Sequence, residues 1–132
     1  VVAQQNANEN KLSVDFQKLD VFSKNLPAKK WDIIVSNPPY VPEALKKITQ
    51  PHVIEHEPLK AIFVPDENPL CFYERICQYA IQHLQAQGTL FFEGHTPFMD
   101  SVKNILQHEG FSDIVLRNDF RTNPRFIRAN KQ

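Results

Sequence analysis

Glycine is scarce: Gly88, Gly94 and Gly110 are the only three in a chain of 132 residues. None belongs to a G-x-G pattern, so a glycine loop that lets backbone close on a phosphate or cofactor has no candidate here. No run approaches the roughly 18–20 apolar residues of a membrane-spanning helix. No signal-peptide pattern opens the sequence either, and a cytoplasmic location is expected. Cysteine is limited to Cys71 and Cys77. In the helix their surroundings predict, they stand roughly 9 Å apart along the axis, which excludes a bridge between them and leaves two reduced, buried or half-buried thiols. Neither sign of charge prevails: 15 Lys+Arg balance 15 Asp+Glu, which removes the overall electrostatic case for nucleic acid, membrane or polyanion binding. The one local excess, Arg117, Arg121, Arg125, Arg128 and Lys131 against Asp119, reads as a solvated terminus.

What is present is an ordinary globular composition, 42% apolar and 23% charged, in a length that suits one domain. The opening VVAQQNANENKL has no initiator Met and no capping residue, so it reads as the inside of a helix over 1–11 and a fragment is expected. SVDFQKLD alternates as a strand should, and WDIIVS supplies a second, whose continuous Ile33-Ile34-Val35 run predicts cover on both faces. Seven of the ten prolines fall between Pro38 and Pro69, so a long ordered loop is expected there, with one short helix near Glu43–Ile48. A helix capped at Asn68-Pro69 and stopped by Gly88 follows, then the strand TLFFE, a helix from Thr96-Pro97 to Gly110, and two strands joined by a turn near Arg121–Asn123. The alternation predicts an α/β sheet, mostly parallel, with an antiparallel edge strand. Ligands of such sheets bind beyond the carboxyl ends of the strands, where Asp20, Asn37 and Glu93 fall.

The strand WDIIV runs into Ser36-Asn37-Pro38-Pro39-Tyr40-Val41-Pro42, a rigid corner. Asn37 and Pro38 each precede a proline, which pushes both toward extended dihedrals and fixes where Asn37 Oδ1 and the Pro38 carbonyl point. Two acceptors aimed at one place suit a planar –NH₂ group, an amide or aromatic amine. Its nitrogen is a poor nucleophile because its lone pair is delocalised; holding both N–H bonds orients it and stabilises developing positive charge. Tyr40 can wall the site with its ring.

These segments, WDIIVSNPPYVPE, IEHEPLKAIF, DENPLCFYERI, GTLFFE and ILQHEGFSDIVLRNDFRTNPRFIRA, together resemble the release factor glutamine-N5 methyltransferase family from end to end. The resemblance implies a partial Rossmann-like class I S-adenosylmethionine-dependent methyltransferase fold, with a mostly parallel sheet and a C-terminal antiparallel hairpin. Its first two strands would be absent, and residues 1–132 would form the C-terminal part of a single catalytic domain without its N-terminal substrate-binding domain. The implied reaction is N5-methylation of the glutamine in the Gly-Gly-Gln motif of class I peptide chain release factors. Asn37, Pro38, Pro39 and Tyr40 would receive the amide; Asp20, Val21 and Asn37 would lie by the S-adenosyl-L-methionine cofactor; Glu57 and Pro58 would belong to a substrate loop. The glycine-rich cofactor loop of the family has no counterpart here, nor has the acidic residue that would hold the ribose, and Gly94-His95 departs from the usual family sequence. Weak or no cofactor binding and no activity are therefore expected of the isolated chain.

Adenine-N6 methylation of nucleic acid is the alternative chemistry the same corner serves, and a non-catalytic, self-associating fragment is the alternative from another class. With two strands missing, the strands ending at Asp20 and Asn37 are expected to expose sheet edges. His52-Val53-Ile54-Glu55-His56 matches an H-x-x-E-H zinc pattern, but Pro51 and Pro58 bracket it and no third ligand is evident, so no metal is expected.

Overall fold

The computed structural model describes residues 2–132. In chain order the elements are α1 (Val2–Glu9), β1 (Trp31–Ser36), β2 (Val41–Pro42), α2 (Pro51–His56), β3 (Phe63–Val64), α3 (Cys71–His83), β4 (Leu84–Glu93), α4 (Met99–His108), β5 (Phe111–Asn118) and β6 (Pro124–Lys131). Short 3₁₀ turns occupy Glu43–Ile48, Leu59–Ala61 and Thr96–Phe98. The helix expected over 1–11 appears as α1, Val1 lying outside the described residues.

The main sheet has the order β1-β4-β6-β5. β1 and β4 pair in parallel, and β6 pairs antiparallel with both β4 and β5, so β6 alone opposes the other three. The α/β class and the closing hairpin are as expected. The antiparallel strand is not at the edge, however: the hairpin folds β6 back into the slot beside β4 and leaves β5 outermost.

Side-chain alternation decides which face of the sheet is covered. Leu90 and Phe92 of β4 and Ile127 and Ala129 of β6 point to one side, where Tyr73, Cys77 and Ala80 of α3 and Met99, Val102 and Leu106 of α4 bury them. Val35, Phe91, Arg128 and Val115 lie in one cross-strand row on the other side. That face is bare: Ile33 is 59% and Val35 74% exposed, while Ile34 between them packs on the core. The continuous apolar run of β1 is thus covered on one face, not both.

Three further expectations are not met. Residues 13–20 are not a strand; among the described residues they have no neighbour to complete a ladder, and Val14, Phe16 and Leu19 stand about half exposed across an open groove from β1. Gly88 does not stop α3. The helix ends at His83, and Gly88 lies buried in β4, where an added Cβ would stand 3.1 Å from the Asp32 carbonyl oxygen of β1. Asn68 does not cap α3 directly; its Oδ1 accepts from Leu70 N at 3.2 Å in the turn before the helix.

The proline-rich stretch is ordered, as expected, but by more than one device. β2 and β3 pair in parallel, and Tyr40 N and Val41 N both donate to Ile62 O, at 3.2 and 3.0 Å. Phe63 and Val64 are buried, so the far end of the loop is pinned directly beside the corner at Tyr40.

Candidate functional site

β1 delivers the corner. Its last residue, Ser36, pairs with Phe92, one position before the end of β4, so Asn37 and Glu93 both emerge at the carboxyl ends of adjacent parallel strands. Pro38 is buried and anchors the turn; Asn37 is exposed, and Pro39 and Tyr40 are partly buried. Among the described residues neither Asn37 Oδ1 nor the Pro38 carbonyl accepts a hydrogen bond. Both acceptors are therefore free, and the proline dihedrals restrict where they point.

Tyr40 is held more firmly than its sequence context suggests. Its hydroxyl donates to Glu93 Oε1 at 3.3 Å, and its ring stacks on His95 with centroids 6.1 Å apart and planes at 15°. Burial, then the nearby Glu93 carboxylate, raises the Tyr40 phenol above its ordinary pKa, so the hydroxyl stays a donor. Burial, then the Arg125 guanidinium, lowers His95, favouring an uncharged imidazole beside the ring.

The groove between residues 13–21 and β1 has a volume of about 1350 Å³ and is open to solvent. Asp20, Val21, Pro38, Pro39 and Pro58 all line it, so the structure gathers these expected site residues on one cleft, with Ser36 among the other walls. Asn37, Tyr40 and Glu57 are not among its walls; Asn37 and Glu57 are exposed, Glu57 at the carboxyl end of α2. His52 and His56 are exposed on α2, and no three potential metal-binding side chains cluster among the described residues.

A sulfonium cofactor needs backbone that can close on its methionine end and a carboxylate for its ribose. The described residues do not provide this cradle. Asp20 Oδ1 already accepts from Phe22 N at 2.9 Å in a tight turn, and Gly88 and Gly94 are committed to close packing, against β1 and against Tyr73 and Met99.

The sequence alone assigns Gly94 and His95 no role and places Arg125 in a solvated, charged tail. Arg125 instead reaches back to the end of β4, its Nη1 donating to Gly94 O at 3.3 Å and its Nε to Asp119 Oδ2 at 3.1 Å. The only sequence signal was the position of Glu93 at a strand end.

No family model matches the sequence. The chain is 35% identical, over 131 residues, to the release factor glutamine methyltransferase of Bacteroides thetaiotaomicron, covering 98% of this chain and 47% of that protein. It is 34% identical, over 128 residues, to the release factor glutamine methyltransferase of Flavobacterium psychrophilum, covering 97% and 45%. The chain thus spans about half the length of the curated relatives it matches. A methyltransferase of known structure from Pyrococcus furiosus superposes with a TM-score of 0.64 over 98% of this chain and 55% of that one, a likeness of fold at 15% identity.

Proposed function

We propose, for a chain that belongs by sequence to the release factor glutamine methyltransferase family, that residues 37–40 are the amide-receiving half of a protein-(glutamine-N5) methyltransferase site. The chain is then the C-terminal part of a single catalytic domain, with class I peptide chain release factors as substrate, S-adenosyl-L-methionine as methyl donor and the cytoplasm as its place of action. The observation that carries this reading is the pair of free acceptors, Asn37 Oδ1 and the Pro38 carbonyl, at the end of β1 beside a fixed aromatic wall.

Each residue then has a defined task. Asn37 Oδ1 and the Pro38 carbonyl accept the two N–H bonds of the glutamine amide, which fixes the plane of the nitrogen and turns its face toward the electrophile. As the nitrogen gains a bond and loses conjugation, its N–H groups become more acidic and both hydrogen bonds strengthen, so the stabilisation is larger in the transition state than in the ground state. Fixing the amide this way supplies part of the roughly 7–11 kcal/mol that full near-attack positioning can provide. Tyr40 excludes water from one side, and Glu57 and Pro58 border the approach of the polypeptide.

The isolated chain, lacking the cradle, neither binds S-adenosyl-L-methionine tightly nor methylates. Calorimetric titration of the 132-residue chain with the cofactor is expected to give no micromolar binding; a micromolar constant overturns this. In a protein extended to the length of its relatives, mass spectrometry is expected to find one methyl on the glutamine of a Gly-Gly-Gln segment, with Asn37→Ala lowering the rate at least about a hundredfold, the scale of losing one transition-state hydrogen-bond partner. Transfer to adenine in DNA instead would assign the corner to a nucleic-acid enzyme. The bare edge of β1 also favours self-association of the isolated chain.

A further inference from the structure

Behind Tyr40 lies a bracket of residues that the amide-receiving role does not use. Glu93 accepts the Tyr40 hydroxyl, and its own backbone carbonyl accepts from the hydroxyl of Tyr73 at 3.0 Å. Tyr73 is wholly buried, so this bond clamps the end of β4 to α3. Gly94 makes the clamp possible: a Cβ there would stand 2.7 Å from the Tyr73 hydroxyl and 2.5 Å from Met99 Sδ. Gly94 N in turn donates to Arg125 O at 2.9 Å, tying the same point to β6. His95 leaves this fixed point with its ring under Tyr40, braced edge-on by Phe98 at 5.6 Å between centroids.

We propose that Glu93 and His95 are positioning residues for Tyr40: the carboxylate tethers the phenol, the imidazole backs the ring, and together they fix the plane of the wall that an amide held at Asn37 meets. A bond of 3.3 Å is too long to bind strongly. It works by direction, choosing one orientation of a ring whose χ2 torsion is otherwise broad. The stacking removes the remaining freedom, and both contacts originate from a backbone point held by α3 and β6, so the wall is set by the core rather than by the loop that carries Tyr40. The role assigned to the wall rests on the function proposed above; the geometry of the bracket does not.

The test uses the whole chain with labelled tyrosine and histidine rings, observed by NMR. The unaltered chain is expected to show contacts between the Tyr40 and His95 rings and slow flipping of Tyr40. Glu93→Ala is expected to lose those ring contacts, and both Glu93→Ala and His95→Ala to speed the flipping, while Tyr73 keeps its resonances. Glu93→Gln retains an acceptor and is expected to preserve the ring contacts while lowering the Tyr40 pKa. A second arm titrates in a short peptide containing Gly-Gly-Gln: Asn37 resonances shift in the unaltered chain, and Glu93→Ala weakens the response several-fold. Tyr40–His95 contacts and flipping unchanged in Glu93→Ala overturn the inference, and if that variant fails to fold, an unshifted Tyr40 titration in Glu93→Gln does so. Intact ring behaviour as expected with no peptide response at Asn37 upholds the bracket and removes the amide-receiving function.

Discussion

A methyl group at Gly94 would collide with two atoms at once, Met99 Sδ at 2.5 Å and the Tyr73 hydroxyl at 2.7 Å. Both are enclosed, and only the flexible thioether chain of Met99 can give way more readily than the Tyr73 ring. Gly94→Ala is therefore expected to destabilise the fold by about 1–3 kcal/mol, the usual range for overpacking a closed site, and thermal unfolding of the variant measures it. An unchanged midpoint would mean that the end of β4 is looser than these contacts imply. Gly94 also illustrates what a sequence conceals at this scale. The corner of Asn37, Pro38 and Pro39 is set by its own dihedrals, so three consecutive letters suffice to read it. Glu93, His95 and Arg125 act through neighbours brought in by the β4–β6 pairing, and Arg125 is contiguous with Gly94 only because β6 turns back beside β4.

The β5–β6 turn shows the same division between elements. Its position near Arg121–Asn123 follows from polar residues between two alternating runs, and the observed strands end at Asn118 and resume at Pro124. Asp119 organises it: Oδ1 accepts from Arg121 N at 2.8 Å and Asn123 N at 3.0 Å, and Oδ2 from Arg125 Nε at 3.1 Å. The Asn123 N–H, together with the Arg125 guanidinium and the Arg121 N–H, holds the carboxyl below its ordinary value. A folded-state pKa below the unfolded one means that the unfolded chain binds the proton first as pH falls. The stabilisation is thus complete above the ordinary aspartate value of about 4 and disappears as pH drops through the lower folded value. Urea unfolding from neutral pH to about pH 3 is expected to show this acid loss, and Asp119→Asn to flatten it. An identical pH profile in the variant would assign the loss to other carboxylates. The segment 13–20 is the opposite case. Its alternation was legible and its state was not, because a strand exists only with a partner, and among the described residues none adjoins it.

For the molecule as a whole, helices cover one face of the sheet and nothing among the described residues covers the other. Ile33, Val35, Phe91, Val115 and Phe126 project from that bare face, and beside them Arg128 Nε is buried without a hydrogen-bond partner among the described residues. Pattern reading could find the apolar run of β1 but not which side of it remains open, since cover comes from other elements. An edge strand such as β1, carrying Ile33 and Val35, is a template for another strand, and a net charge of zero offers no repulsion to oppose association. The edge of β1 and the bare face are adjacent, so one partner can engage both. Sedimentation velocity over about a hundredfold range of concentration is therefore expected to show mass action toward dimers or larger species. Val35→Lys sets a charge on the most exposed apolar residue of the strand, and it is expected to shift the distribution to monomer without lowering the unfolding midpoint, because Val35 makes little of the core. An association indifferent to Val35→Lys would place the contact away from Val35, and a chain monomeric throughout would mean that the open edge is protected by its own geometry. In that case the exposed segment 13–20, with Val14, Phe16 and Leu19, is the element positioned to fold across it.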